Sequence, residues 1–112
     1  MPELSWRDAI LRGRGTAAFD DRFHQALARG GEKSGLPSDV AGTLATQTVL
    51  GAAQLASESK LSLEELRKMV VTPGGTTAAG LAAMEKHGTS EGLIAALEAA
   101  TKRGREMARE NM

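Results

Sequence analysis

The chain has 112 residues, which is enough for one domain and not comfortably for two. Its 14 lysines and arginines balance its 14 aspartates and glutamates, so no overall field favours nucleic acid or an anionic membrane surface. There is no cysteine, which excludes disulfides and thiolate chemistry. No apolar run approaches the roughly 20 residues that span a bilayer, and the N-terminus lacks a secretion-signal pattern. We therefore expect a cytoplasmic protein without nucleic-acid or membrane partners.

Large side chains are scarce in this sequence. Trp6, Phe19 and Phe23 are the only aromatic residues, whereas alanine and glycine are abundant. Helices built from small residues and leucine carry little side-chain volume, so they approach closely and often need a neighbour to bury enough apolar area. The composition is a first indication of an oligomer.

The first half of the chain predicts three helices. Ser5 can cap a short helix over residues 6–11, which the glycines of residues 13–15 break. A second helix is predicted over residues 17–33, since its apolar positions follow helical spacing, although Gly30–Gly31 can fray its end.

The third helix, predicted over residues 38–57 with Ser38 as its cap, has the strongest pattern. Its small-residue stripe steps by four and three, and Val40, Leu44 and Leu50 add larger groups beside and opposite this stripe. The stripe consists of Ala41, Ala45, Thr48, Ala52 and Leu55. A helix that is apolar over so much of its circumference is buried on more than one side, so we expect it to be central or clasped by a partner chain.

The second half predicts three more helices. Ser62 caps a short helix that ends near Val70, and a helix from Thr76 to about Lys86 is closed by His87–Gly88. Ser90 is predicted to cap the last helix, whose apolar stripe again steps by four and three. That stripe consists of Leu93, Leu97, Ala100, Gly104 and Met107. Strand signals are almost absent, so the predicted fold is all-α, in a single helical domain over residues 1–112.

Most of the motifs that could indicate a catalytic or binding site lack the surrounding sequence that such a site needs. Residues 13–15 read Gly-Arg-Gly, but no strand precedes them and the third glycine of a dinucleotide fingerprint is missing, so no cofactor is expected. His24 and His87 are far apart, are expected on the surface and lack metal-ligand spacing, so no metal is expected. Glu64–Glu65 is typical of a helix start, and no serine has a histidine placed to activate it; no catalytic residue is predicted.

The loop over residues 72–77 has the most chemical potential. Its glycines allow the backbone to approach a ligand, and its threonine hydroxyls and the first free N–H groups of the next helix can point the same way. Such an arrangement favours an anion, for example a carboxylate or sulfate. The candidate residues are Thr72, Gly74, Gly75, Thr76 and Thr77. The alternative is that the glycines only make a tight turn and that Thr76 only caps the helix.

This loop and two other segments resemble a known family. Residues 70–81 read VVTPGGTTAAGL, residues 45–53 read ATQTVLGAA, and residues 95–103 read AALEAATKR. All three resemble the pyrroline-5-carboxylate reductases, and the resemblance is nearly continuous over residues 35–107. It implies an all-helical domain whose two copies interlock as a homodimer. It also implies that Thr76 and Thr77 donate to a substrate carboxylate, with Gly74 and Gly75 giving access.

Two departures from the family pattern affect the predicted function. The family reduces pyrroline-5-carboxylate to proline with a nicotinamide cofactor held in an N-terminal domain, and this chain starts where the helical domain would begin. Residues 1–34 also diverge: the family usually has GSGPAY where residues 13–19 read GRGTAAF. Polar residues such as His24–Gln25 stand where apolar or small groups are typical, as though this surface were adapted to water or to another partner.

We therefore expect a stand-alone homodimerisation domain without complete reductase activity, of natural or engineered origin. One alternative is a binding module that captures a small carboxylate at the loop, or a macromolecule through residues 1–34. Another is half of a split proline-biosynthesis reductase. The polar second helix argues against a split enzyme, because a docking face should stay apolar.

Overall fold

The computed structural model describes residues 15–110, which form five α-helices. These are α1 (Gly15–Lys33), α2 (Ser38–Glu58), α3 (Leu63–Lys68), α4 (Thr76–Lys86) and α5 (Thr89–Glu110). No strand occurs in this part of the chain, which confirms the all-α class and each of the five predicted helices within it. The predicted helix over residues 6–11 lies outside the described residues. None of the five helices is long and apolar enough to cross a membrane.

The described residues belong to two compact units. The first comprises residues 21–80, which include most of α1, all of α2 and α3, and the start of α4. The second includes residues 81–110, with the rest of α4 and all of α5, together with residues 15–20.

A Schellman motif ends α1 and turns the chain toward α2. The N–H of Leu36 donates to the carbonyl of Gly31 at 3.0 Å, and the N–H of Gly35 donates to Glu32 at 3.0 Å. Gly35 has a φ of 109°, which glycine adopts without steric strain because it has no Cβ. Gly30 and Gly31 do not fray the helix as predicted, because these hydrogen bonds hold its last turn.

The N-terminus of α2 differs from the prediction. Ser38 was expected to be the cap, but Pro37 occupies that position with φ −58° and ψ 149°, and its carbonyl accepts the N–H of Ala41 at 2.9 Å. Ser38 is the first helical residue and makes no cap hydrogen bond; its hydroxyl donates to Glu32 at 3.4 Å. Because the fixed φ and extended ψ of Pro37 suit the non-helical cap position, Ser38 falls in the first turn of the helix.

A similar one-residue shift occurs at α5, where Ser90 is not the cap. Gly88, with a φ of 68°, ends the preceding turn, and its carbonyl accepts the N–H of Gly92 at 2.9 Å. The helix therefore begins at Thr89, before the serine. By contrast, Ser62 caps α3 as predicted: its hydroxyl accepts from the N–H of Glu65 at 3.1 Å, and the Glu65 carboxylate accepts from the N–H of Ser62 at 3.2 Å.

The core of the first unit lies where α1 meets α2. Ala41 and Ala45 are 2% and 5% exposed and are the buried hydrophobic residues among those described. Gly31 makes the close approach possible, since a methyl group there would lie 3.2 Å from the Cβ of Ala41. Farther along the pair, the Nε2 of His24 lies 2.9 Å from the Oγ1 of Thr46.

This packing divides the predicted small-residue stripe of α2 into two parts. Its first two members, Ala41 and Ala45, are buried, whereas Thr48, Ala52 and Leu55 remain exposed. The contact with α1 therefore accounts for only the beginning of the stripe.

Candidate functional site

The loop between α3 and α4 contains the turn that the sequence predicted. The N–H of Gly75 donates to the carbonyl of Thr72 at 2.9 Å, which closes a four-residue β-turn. Pro73 stands at the second position and Gly74, with a φ of 74°, at the third. Proline followed by a residue of positive φ is the signature of a type II turn. The turn is defined by its own backbone, without help from a distant element.

Gly75 has a steric reason to be glycine. A Cβ at this position would collide with the Oγ1 of Thr72 and would lie 3.1 Å from the carbonyl oxygen of that residue. This crowding is internal to the loop: a Cβ here requires the Thr72 side chain to rotate and its carbonyl group to shift, so the turn by itself disfavours a side chain. Of the two explanations for the glycines, the structural one thus accounts for Gly75 without a ligand.

Helix α4 begins directly after this turn. The N–H of Ala79 donates to the carbonyl of Gly75 at 3.1 Å, so the N–H groups of Thr76, Thr77 and Ala78 precede the first intrahelical hydrogen bond. Thr76 is thus the first helical residue, and Gly75 occupies the cap position that the structural alternative gave to Thr76.

All five predicted site residues lie in this one segment. Thr72, Gly74, Thr76 and Thr77 are exposed, and Gly75 is half-buried. The arrangement places hydroxyl groups beside unpaired helix N–H groups at the positive end of the α4 dipole. Chemically it can accept an anion by hydrogen bonding, but the segment contains no titratable side chain that could transfer a proton.

The two histidines are in different environments. His87 is exposed, as expected, whereas His24 is only partly exposed at the surface, because its ring contacts Thr46 of α2. The sequence offered no signal for this contact because the two residues are 22 positions apart. Among the described residues, no group of three histidine, aspartate or glutamate side chains could hold a metal ion.

A further feature of the first unit is an uncovered apolar surface on α2. Val40, Leu44 and Leu55 are 39%, 51% and 56% exposed, and Gly51 lies among them. At 100° per residue these four positions fall within about 60° of the helix circumference. We call Val40, Leu44, Gly51 and Leu55 the open face of α2. This face lies beside the one that contacts α1. In the sequence it can be recognised by the spacing of its four residues, which are four or seven positions apart.

Residues around the short helix α3 are also apolar and exposed. Leu63, Met69 and Val70 are 73%, 70% and 64% exposed, which exceeds the exposure of Leu55 on the open face of α2. The second unit adds Leu93, Ile94 and Met107 on α5, which are 49%, 57% and 48% exposed. Large apolar side chains exposed together are typical of surfaces that another molecule covers.

Comparison with known protein families identifies one match. The family described as pyrroline-5-carboxylate reductase dimerisation matches residues 10–107. Pyrroline-5-carboxylate reductase 3 from Danio rerio is 47% identical over 105 residues, which are 92% of this chain and 36% of that protein. Pyrroline-5-carboxylate reductase from Synechocystis is 43% identical over 101 residues, which are 89% of this chain and 38% of that protein. The chain thus spans about a third of the length of the relatives it matches.

Solved structures agree with the sequence comparison. Pyrroline carboxylate reductase from Plasmodium falciparum, crystallised with NADP bound, superposes with a TM-score of 0.82 at 29% identity, over 88% of this chain and 40% of that one. Pyrroline-5-carboxylate reductase from Coxiella burnetii superposes with a TM-score of 0.79 at 40% identity, over 88% of this chain and 36% of that one. The match to the family begins at residue 10 and therefore includes α1, which lies in the segment that the sequence marks as divergent.

Proposed function

Since the chain belongs to the pyrroline-5-carboxylate reductase dimerisation family, we propose that it is a homodimerisation domain whose two copies cover each other's apolar helix faces. The observation that carries this proposal is the open face of α2, a stripe of large and small apolar groups beside a helix contact that buries only two alanines.

A single copy of the chain leaves much of its apolar surface exposed. A chain of this length can bury roughly two-thirds of its unfolded surface, and most of the stability comes from that burial. Here Leu44, Leu50 and Leu55 are each more than half exposed on one helix. At about 25 cal/mol for each Å² of apolar surface, covering such side chains supplies free energy that the α1–α2 contact does not.

The proposed dimer is obligate and interlocked, with α2 and α5 at its centre. Obligate interfaces bury on the order of 2,000 Å² or more and are more apolar than transient ones. The exposed Leu93 and Met107 lie on the predicted α5 stripe, so both helices offer side chains of the required kind. Glycine and alanine on α2 allow close approach of a second backbone.

Light scattering coupled to size-exclusion chromatography tests this proposal directly. We expect a mass of twice 11.7 kDa at micromolar concentration, with loss of helical signal whenever dilution produces monomer. A folded monomer that persists at micromolar concentration would refute the obligate dimer. Co-elution with a separate nucleotide-binding protein would instead favour half of a split reductase.

We further propose that these 112 residues do not by themselves transfer hydride. A dinucleotide site of the usual kind needs a strand that leads through a glycine-rich turn into a helix, and residues 15–110 contain no strand. Titration of NADPH into the protein in a calorimeter should give no heat of binding. A micromolar dissociation constant would contradict this.

A second candidate function is weak capture of a small carboxylate or sulfate at the loop of residues 72–77. The exposed hydroxyls of Thr76 and Thr77, together with the N–H groups that precede Ala79, favour it. Affinity should be poor because the exposed loop leaves the anion solvated, so a few hydrogen bonds offset little of the cost of immobilisation. Millimolar binding, or about 4 kcal/mol, is expected.

Amide chemical shifts of Gly74, Gly75 and Thr77 during titration with proline or sulfate test this second candidate. Thr77→Val keeps the shape of the side chain and removes its hydroxyl, so it should weaken the shifts. Thr89→Val, at the start of α5, is the matched control because it removes a hydroxyl from the first turn of another helix. Shifts that never appear in the parent, or that Thr77→Val leaves unchanged, would mean that the loop is purely structural.

A further inference from the structure

The hydrogen bond between His24 and Thr46 joins α1 to α2 outside the loop and outside the open face of α2. The Nε2 of His24 lies 2.9 Å from the Oγ1 of Thr46. The same oxygen lies 3.0 Å from the carbonyl oxygen of Gly42, one turn earlier in α2. The threonine hydroxyl thus has two hydrogen-bond partners, one on its own helix and one on the neighbouring helix.

The direction of both hydrogen bonds follows from counting protons. A hydroxyl has one proton to donate, and a carbonyl oxygen can only accept. The proton of Thr46 is therefore used in the bond to Gly42, and its oxygen must accept from His24. We propose that His24 is held in the tautomer with the proton on Nε2, and that this hydrogen bond is a latch that fixes the rotation of α1 against α2.

A latch farther along the helices is needed because the hydrogen bond from Ser38 to Glu32 and the contact of Gly31 with Ala41 both lie near the turn that joins α1 to α2. Gly31 and Ala41 meet through a bare backbone and a methyl group, which constrain the distance between the helices but hardly their rotation. His24 lies seven residues before Gly31, or about 10 Å along the helix axis. A directional hydrogen bond at that distance from the Gly31 contact is a second point of attachment, and two separated points define how α1 is oriented against α2.

The tautomer can be measured on the intact protein by long-range ¹⁵N–¹H correlation of the imidazole rings. His87, which is exposed, serves as an internal reference for a ring in water. We expect the neutral His24 ring to be almost entirely in the Nε2–H form, and the exposed ring of His87 to show a larger fraction of the Nδ1–H form. A Nδ1–H ring, or a mixture equal to that of His87, would overturn the proposal.

Variants of Thr46 test the latch. Thr46→Val removes both the latch and the intrahelical bond to Gly42, whereas Thr46→Ser keeps the hydroxyl. Thr101→Val is the matched control, since Thr101 donates the same kind of bond to the carbonyl of Leu97 at 2.8 Å. We expect Thr46→Val to shift the His24 tautomer toward that of His87 and to speed amide exchange over residues 24–33 about fivefold. Thr46→Ser should restore both values, and Thr101→Val should change neither.

Two results would contradict the latch even if the wild-type tautomer is as expected. One is a His24 ring in Thr46→Val that is indistinguishable from the wild-type ring. The other is faster exchange in Thr46→Ser equal to that in Thr46→Val, because the hydroxyl would then not be the group that matters. If Thr46→Val does not fold, the comparison of wild type with Thr46→Ser and with His24→Leu decides, because leucine has no N–H to donate. An unchanged exchange rate in His24→Leu would refute the latch.

Discussion

A methyl group at Gly31 would lie 3.2 Å from the Cβ of Ala41 and 3.4 Å from the Cδ1 of Leu36. The contact joins the last turn of α1 to the first turn of α2, beside the one cluster of buried residues in the described part of the chain. At Gly30, one position earlier, a Cβ would meet nothing within 4 Å. Two adjacent glycines in one helix thus have different structural roles.

This difference predicts opposite outcomes for two similar substitutions. Gly30→Ala should stabilise the protein by about 0.5–1 kcal/mol, because alanine loses less backbone entropy in a helix and has room here. Gly31→Val should destabilise it by about 1–3 kcal/mol, since its branched side chain forces α1 away from Ala41. Urea unfolding measures both changes, and equal effects at the two positions would contradict the close contact.

The proposed dimer predicts that charge is tolerated on one side of α2 and not on another. Ala52→Glu alters no buried residue of the single chain, yet it should unfold the protein rather than merely split the dimer, because folding and pairing are coupled. Ala53→Glu is the matched control: it makes the same substitution at an exposed position of the same helix, about 140° or more around the axis from every residue of the open face. Circular dichroism and light scattering compare the two. A folded, dimeric Ala52→Glu protein would exclude this side of α2 from the interface.

Two serines near helix starts are predicted to differ in their contribution to stability. Ser62→Ala removes the hydroxyl that accepts from the N–H of Glu65 and should cost about 1 kcal/mol. Ser38→Ala should stay within about 0.5 kcal/mol of the parent, because Ser38 makes no cap hydrogen bond. The midpoint of thermal unfolding measures both. A larger loss for Ser38→Ala than for Ser62→Ala would mean that the cap of α2 is misassigned.

The turn before α4 predicts a local steric effect. Gly75→Ala should destabilise the protein by about 1–3 kcal/mol, because its Cβ would collide with Thr72, whose carbonyl also closes the turn. Gly80→Ala, farther along α4 with nothing within 4 Å, is the control and should be neutral or stabilising. Denaturant unfolding distinguishes the two variants. A neutral Gly75→Ala would show that the turn can open without cost.

Local patterns in the sequence determined the helices and the turn. The capping box of Ser62 and Glu65, the glycine of positive φ at Gly88, and the proline–glycine pair at Pro73 and Gly74 each act within four residues of their partners. Backbone hydrogen bonds and steric limits at that range do not depend on the rest of the fold, so the pattern alone was sufficient. The five candidate loop residues lie together for the same reason, since they are consecutive or nearly so.

Tertiary structure decided which side of each helix another helix covers. The stripe of α2 looked continuous from Ala41 to Leu55, yet only its first members, Ala41 and Ala45, are buried, and the close contact with Gly31 of α1 lies at that end of the stripe. The bond between His24 and Thr46 spans 22 residues and has no periodic signature. Periodicity reports which residues share a face, whereas the crossing of two helices depends on where small side chains allow their backbones to approach, and that is a property of the pair.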